Sequence, residues 1–293
     1  YNPDVTHVHN LHGTEISLAE LARFSHQYKT LFTLHDSWLT TGSIHHPFIL
    51  NASDLDYLSQ KQWKSELRNR VQSVSDSQIR FTVPSQWLRE RLFKSHTIRA
   101  YYVPNGSAKL VKSEREINSN RFALFVTNRA KSNPYKDFET LRLGWKKANE
   151  QLKEGGFDLV CIGCSQEETI QVGNYQLICL PRMNSESISA YLYNCMFVVQ
   201  ASKQDNAPLG IIEAHQANKK VLASLVGGIP EMLDTDEQSW MYEPENAEDL
   251  GHQLVKIIKV IDANTEISKV APSTSLNEMT DMYLGHYRDL VNG

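Results

Sequence analysis

Asp205 and Glu213 stand with seven residues between them in Asp205-Asn-Ala-Pro-Leu-Gly-Ile-Ile-Glu213. Pro208 suits the first position of a helix, where its missing N–H would have no partner anyway, and Asp205 or Asn206 is the residue type that caps the amides ahead of it. A helix opening at the carboxyl end of the apolar strand Phe197-Val-Val would offer free N–H groups and a positive dipole end to a crevice, where a diphosphate binds favourably. Glu213, about a turn and a half further on, suits the role of accepting hydrogen bonds from ribose hydroxyls. By itself the stretch reads equally well as a plain cap followed by a solvated helix residue. Gly227-Gly228, in Val226-Gly-Gly-Ile-Pro-Glu231, predicts a tight turn that lets backbone approach a ligand closely.

The other reactive side chains form weaker patterns. Cys161-Ile-Gly-Cys164 has the spacing of a zinc or redox pair, yet it ends an apolar run and contains a turn-forming glycine, so it reads as a strand end and its turn. Cys179 and Cys195 sit in apolar runs and read as small core residues. Four cysteines in 293 residues make no disulfide framework and fit a reducing compartment. His7 and His9 share one face of a strand, but His12 does not join them and no carboxylate pair completes a geometry, so no metal site is expected. His45-His46 reads as an inert loop pair.

The elements that must position these groups are short apolar runs alternating with segments of helical period, the pattern of an α/β fold with parallel sheets. Val5–His9, Thr30–His35, Arg80–Pro84 and Ala100–Val103 predict strands, Ser17–His26 a helix, and Ser85 the N-cap of a helix from Gln86. Pro104-Asn105-Gly106 marks a turn, and the polar stretch from Ser107 to Asn120 reads as a linker. Strands at Phe122–Thr127, Asp158–Ile162, Tyr175–Leu180, Met196–Gln200 and Lys220–Ser224, with helices through Phe138–Leu152, Ser185–Tyr193 and Leu209–Ala217, predict one doubly wound domain. Leu276, Met279, Met282, Tyr283, His286, Tyr287 and Leu290 predict a final amphipathic helix over Ser275–Val291.

With 41% hydrophobic and 22% charged residues, the chain has globular composition and length for about two domains. A net charge of -4 with no long basic run argues against nucleic acid as partner. No apolar stretch reaches the roughly 18 to 20 residues of a membrane helix, and no signal pattern opens the chain, so a cytoplasmic protein is expected, with room for peripheral membrane contact.

Taken together, Asp205…Glu213 and Val-Gly-Gly-Ile-Pro-Glu resemble the nucleotide-sugar motif of family 4 retaining glycosyltransferases, which have the GT-B fold; Asp205 replaces their more usual first Glu. Pro3-Asp-Val-Thr-His-Val-His, Phe32-Thr-Leu-His35-Asp36-Ser-Trp, Val83-Pro-Ser-Gln-Trp-Leu and Val103-Pro-Asn-Gly are similar to further landmarks of that family, in order. The resemblance implies two Rossmann-like doubly wound domains: residues 1–115 on the acceptor side, residues 116–268 holding the donor, and residues 269–293 as a helix packing back on the first. It implies that Lys136, with Arg129 as basic partner, neutralises the donor diphosphate, and that amides near Leu209 and Gly210 meet the diphosphate or ribose. Glu213 would hold the ribose, Asp205 the transferred sugar, and His35 would face that sugar. The donor would be a UDP-, GDP- or ADP-sugar, the acceptor a glycan or lipid-linked molecule, and catalysis would be metal-independent, with no cofactor.

The family's opening strand and glycine-rich turn have no counterpart before Tyr1, so the N-terminal domain is expected to be incomplete. Two other readings share the fold: a non-hydrolysing sugar-nucleotide epimerase, whose distinguishing carboxylates are not recognisable here, and an inactive nucleotide-sugar-binding subunit. Glycoside hydrolysis fits least, because Asp205 and Glu213 are placed for hydroxyl recognition and not on either side of a glycosidic bond.

Overall fold

The computed structural model describes residues 3–11, 14–40, 57–113, 115–117, 120–263 and 273–293. His12, His45 and His46 therefore lie outside the described residues. In chain order the elements are β1 (Thr6–His9), α1 (Leu18–Ser25), β2 (Thr30–Thr33), α2 (Tyr57–Ser75), β3 (Arg80–Val83), α3 (Gln86–His96), β4 (Ala100–Tyr102), β5 (Phe122–Val126), α4 (Phe138–Leu152), β6 (Asp158–Cys164), β7 (Glu168–Val172), β8 (Tyr175–Pro181), α5 (Ser185–Asn194), β9 (Phe197–Gln200), α6 (Leu209–Gln216), β10 (Val221–Ala223), α7 (Thr235–Gln238), α8 (Ala247–Asp262) and α9 (Leu276–Asn292). They form two compact units, one of Tyr1–Gly106 with Thr274–Gly293, the other of Ser107–Ser273.

The first unit is built on a parallel sheet in the order β1-β2-β3-β4. Parallel neighbours joined by right-handed crossovers in one direction send their connecting helices to one face. There Leu18 and Leu21 of α1, Val74 of α2 and Leu88 and Leu92 of α3 pack with Phe32, Leu34, Phe81 and Val83. Side chains alternate across a strand, so Leu31 points the other way. That second face is covered by α9, with Tyr283, Met279, Tyr287 and Leu290 around Leu31 and Val103. Helix α9 starts from a capping box in which Ser275 pairs with Glu278, satisfying two amides that the first turn would otherwise leave open.

The second unit has a six-stranded sheet in the order β10-β9-β5-β6-β8-β7, parallel except for β7 against β8. One face holds α4 and α8 over Phe125, Phe157 and Phe197, with Leu141, Trp145, Leu250, Leu254 and Ile258 in the same core. The other holds Leu192 of α5 and Ile211 and Ala214 of α6 against Leu124, Val160, Val198 and Val221. The thiols of Cys161, Cys164, Cys179 and Cys195 are buried and free; burial pushes Cys164 and Cys195 up to about 12.

Besides helices α2, α7 and α8, which have no counterpart among the expected helices, two features differ from expectation. The hairpin strand β7 has no counterpart among the expected strands; Gly173, at φ +60°, makes the turn into β8. The described part of the Ser107–Asn120 stretch is not a free linker. Leu110 N–H donates to Gln216 Oε1 (2.8 Å), Ser189 Oγ donates to the Val111 carbonyl (2.5 Å), and Asn194 Nδ2 donates to the Arg115 carbonyl (3.1 Å), which dock it on the second unit.

Candidate functional site

Strand order in the second sheet reverses at β5: the chain steps outward through β6 and β8 on one side and through β9 and β10 on the other. Loops leaving the carboxyl ends of β5 and β9 diverge to opposite faces and open a crevice between them, the usual ligand position in an open α/β sheet. Two glycines shape the rim. Gly163, at φ +102°, lies where a Cβ would stand 1.7 Å from the Thr127 carbonyl oxygen, so only glycine lets the β5 loop close on β6. Gly227, at φ +57°, lies where a Cβ would stand 1.8 Å from the Asp205 carbonyl oxygen. The sequence suggested that Gly227-Gly228 would admit a ligand; Gly227 instead admits the Asp205 backbone.

Lys136 and Asp205, 69 residues apart, meet in this crevice. Their meeting follows from backbone pairing: Lys136 and Ser202 form an antiparallel bridge, Lys203 N–H donates to the Tyr135 carbonyl (2.9 Å) and Asp137 N–H to the Ala201 carbonyl (3.3 Å). Lys136 Nζ then lies 2.5 Å from Asp205 Oδ2 and 3.1 Å from Ser202 Oγ. Asp205 Oδ2 also accepts from Ser202 Oγ (3.1 Å) and Gln200 Nε2 (3.3 Å), while Oδ1 takes the Asn206 N–H (3.0 Å). Both side chains are mostly shielded, 17% and 18% exposed, so solvent and salt screen the pair less than a surface ion pair. The ammonium has three hydrogens, and two have partners among the described residues. Gln200 and Ser202 were not singled out from sequence; their signal is polar side chains closing an apolar strand.

Helix α6 opens beside this pair. Pro208 is its N-cap, at φ -67° and ψ 127°, and not its first helical residue; no side chain caps the helix. This corrects the expected capping role of Asp205 and Asn206, since the Asp205 carboxylate is spent on Lys136 and its own neighbours. Ile211 N–H returns to the Pro208 carbonyl (3.2 Å). The Leu209 and Gly210 amides, with no such bond among the described residues, remain as donors at the positive end of the dipole. By contrast α1, α3, α5, α7, α8 and α9 all start under a side-chain cap. Helix α4, whose start also has no side-chain cap, leaves the same crevice after β5, its Asp137 carboxylate accepting the Glu245 N–H (2.7 Å) instead. Glu213, the fifth residue of α6, is half-buried, and burial raises its carboxyl above the usual 4.5.

Arg129, at φ +54°, occupies the exposed turn after β5; its carbonyl accepts the Ser132 and Asn133 amides, and no contact among the described residues ties its guanidinium to Lys136. His35 belongs to the first unit, just beyond β2, with Nε2 2.9 Å from His9 Nδ1. His7 spends its ring nitrogens on Tyr287 and Thr33.

Two α/β units on parallel sheets, with a crevice at the switch point of the second, define the GT-B type of fold seen in glycosyltransferases. Residues 121–259, most of the second unit, match the family model described as Glycosyl transferases group 1. A glycosyltransferase from Rickettsia africae superposes with a TM-score of 0.60 at 16% identity, covering 98% of this chain and 77% of that one. Sucrose-phosphate synthase from Thermosynechococcus elongatus gives 0.65 at 15%, covering 98% and 73%. The pneumococcal O-GlcNAc transferase GtfA, solved with UDP and GlcNAc, gives 0.65 at 12%, covering 94% of this chain and 55% of that one. No curated protein sequence matches the chain.

Proposed function

We propose that the chain is a retaining glycosyltransferase of family 4 that takes a sugar from a UDP-, GDP- or ADP-sugar and passes it to a glycan or lipid-linked acceptor. The observation that carries this reading is the Lys136–Asp205 pair at the mouth of the uncapped helix α6, inside the segment matched by the glycosyltransferase model. A pyrophosphate in the crevice would take the Leu209 and Gly210 amides and the remaining hydrogen of Lys136, with Arg129 swinging in as a second cation. Glu213 would accept the ribose hydroxyls, and Asp205, oriented by Lys136, Ser202 and Gln200, would receive hydroxyls of the sugar.

In the reaction the bond from the anomeric carbon to the phosphate oxygen breaks, and the acceptor oxygen bonds on the face the phosphate leaves. The departing phosphate takes the acceptor proton, and the charge left on the diphosphate falls on Lys136 and the α6 amides, donors already oriented before the bond breaks. On this reading the protein's own cations and helix dipole do the work that a metal would otherwise do. The four free, buried thiols favour a reducing, cytoplasmic setting, and among the described residues no helix is long and apolar enough to cross a membrane.

Calorimetry with UDP, GDP and ADP tests the reading. At least one should bind below millimolar, and Lys136→Ala should weaken it tenfold or more, about 1.4 kcal/mol. Failure of all three to bind at millimolar concentration would remove the proposal.

A further inference from the structure

We propose that Gln200 is a specificity-determining residue: its carboxamide is held with the nitrogen on Ser202 and Asp205, and the oxygen, left at the opening of α6, accepts a hydroxyl of the transferred sugar. The identity of that ligand rests on the transferase reading; the direction of the amide does not.

That direction follows from which groups can donate. Gln200 closes β9 and is 5% exposed. Its Nε2 lies 3.1 Å from Ser202 Oγ and 3.3 Å from Asp205 Oδ2. Ser202 Oγ in turn lies 3.1 Å from the same carboxylate oxygen and 3.1 Å from Lys136 Nζ. An ammonium only donates and a carboxylate only accepts. The one hydroxyl proton of Ser202 therefore goes to Asp205, its lone pairs take Lys136 and Gln200, and the end of the Gln200 amide on this side must be the NH2. Turned over, the amide would set its oxygen against a carboxylate oxygen and against a hydroxyl with no proton left to give.

The oxygen is thereby sent to α6. A Cβ on Gly210 would stand 3.3 Å from Gln200 Oε1. Among the described residues no donor bonds that oxygen, and the Leu209 and Gly210 amides beside it are open as well. The mouth of the helix thus holds donors and, next to them, a single acceptor on a buried side chain. A diphosphate offers acceptor oxygens, which suit the amides and Lys136 and are repelled by Oε1. A sugar hydroxyl offers a proton, which Oε1 lacks. A buried acceptor without a donor costs free energy, so a site built this way discriminates against a ligand that lacks the matching hydroxyl. Asp205, which the transferase reading gives to the sugar, lies at the other end of the same amide.

Calorimetry on the full chain tests this with UDP, GDP and ADP, with their glucose esters, and with the esters lacking one glucose hydroxyl at a time. Gln200→Met keeps the length of the side chain and removes both polar ends. The free diphosphate should bind wild type and Gln200→Met equally, which also reports that the variant is folded, whereas the glucose ester should bind Gln200→Met about tenfold more weakly. One deoxy ester should bind wild type about tenfold more weakly than the full ester and show no such loss in Gln200→Met, because the missing hydroxyl and the missing oxygen belong to one bond. Equal losses of diphosphate and ester in the variant, or no deoxy ester whose loss disappears there, overturn the proposal and leave the transferase reading standing. A wild type that binds none of the three diphosphates overturns the transferase reading and the sugar assignment with it.

The direction of the amide is read without any ligand. Nitrogen-15 NMR should show the Gln200 side-chain NH2 protected from exchange with water, and Asp205→Asn, which no longer dictates which end faces it, should remove that protection. A freely exchanging NH2 in the wild type overturns the proposal whatever the calorimetry gives.

Discussion

At Glu213 stability and the proposed function pull in opposite directions. Burial raises the carboxyl above 4.5, so the folded chain binds a proton there more readily than the unfolded chain does. The ionised carboxylate therefore costs stability above the folded value; the cost fades as pH falls through that value and is gone below the ordinary one. Glu213→Gln should raise the melting temperature of the second unit at pH 7 and lose this advantage below about 4.5. The same change should weaken nucleoside diphosphate binding about tenfold, because an amide offers the ribose hydroxyls one acceptor oxygen where the carboxylate offers two. Melting curves at the two pH values and a titration check both signs; an equal or lower melting temperature at pH 7 would mean that the carboxylate has a partner compensating its burial. The spacing of Asp205 and Glu213 was legible because it is local to one helix start. The Lys136–Asp205 contact was not legible: the family resemblance assigned the two residues to different parts of the donor, and a 69-residue separation closes only once the sheet order is known. The His9–His35 bond was hidden for the same reason, needing the register of β1 on β2.

At the scale of elements, the turn after β10 illustrates how much of the site depends on backbone. Gly227→Ala must place a methyl carbon where the Asp205 carbonyl oxygen stands and hold alanine at φ +57°. Left-handed backbone costs a side-chain-bearing residue ~1–2 kcal/mol, and relieving the overlap has to move Asp205, hence Lys136. Gly173→Ala is the control: φ +60° with nothing within 4 Å gives backbone strain without a clash. Both variants should melt lower than wild type, but only Gly227→Ala should lose nucleotide affinity, by tenfold or more. Equal affinities in the two would detach Asp205 from the binding site. Strands with apolar runs and helices with Ser17, Ser85 or Ser275 at their start could be read directly, because caps and periodicity are local signals. Helix α2 shows little such signal, Val74 being its contribution to the core among the described residues, and β7 is an edge strand of alternating burial whose pairing depends on a turn. Helix α8 has a cap at Asn246 and Leu250, Leu254, Ile257 and Ile258 at helical steps; it went unread because strand alternation alone gives no reason to expect it after β10.

For the molecule as a whole, the two units should respond to different solution variables. The groups proposed to bind phosphate all lie in Ser107–Ser273, so a bound nucleoside diphosphate should slow hydrogen exchange there by mass action on the folded form. The histidine cluster lies in the other unit and makes it acid-sensitive. The unfolded chain takes a proton at His7 near 6.5, whereas the folded chain refuses it until about 4. Between those values the unfolded state holds more protons, so stability falls as pH falls, and His9 and His35, lowered as well, act in the same sense. Exchange followed segment by segment should show β1, β2 and α9 losing protection between pH 6.5 and 4 while β5 and β9 hold theirs. His7→Gln, which removes the group with the lowest value, should make that loss shallower without abolishing it. A variant with the same steepness as wild type would show that the acid response comes from elsewhere in the unit, and would separate the His7 anchor from the docking of α9.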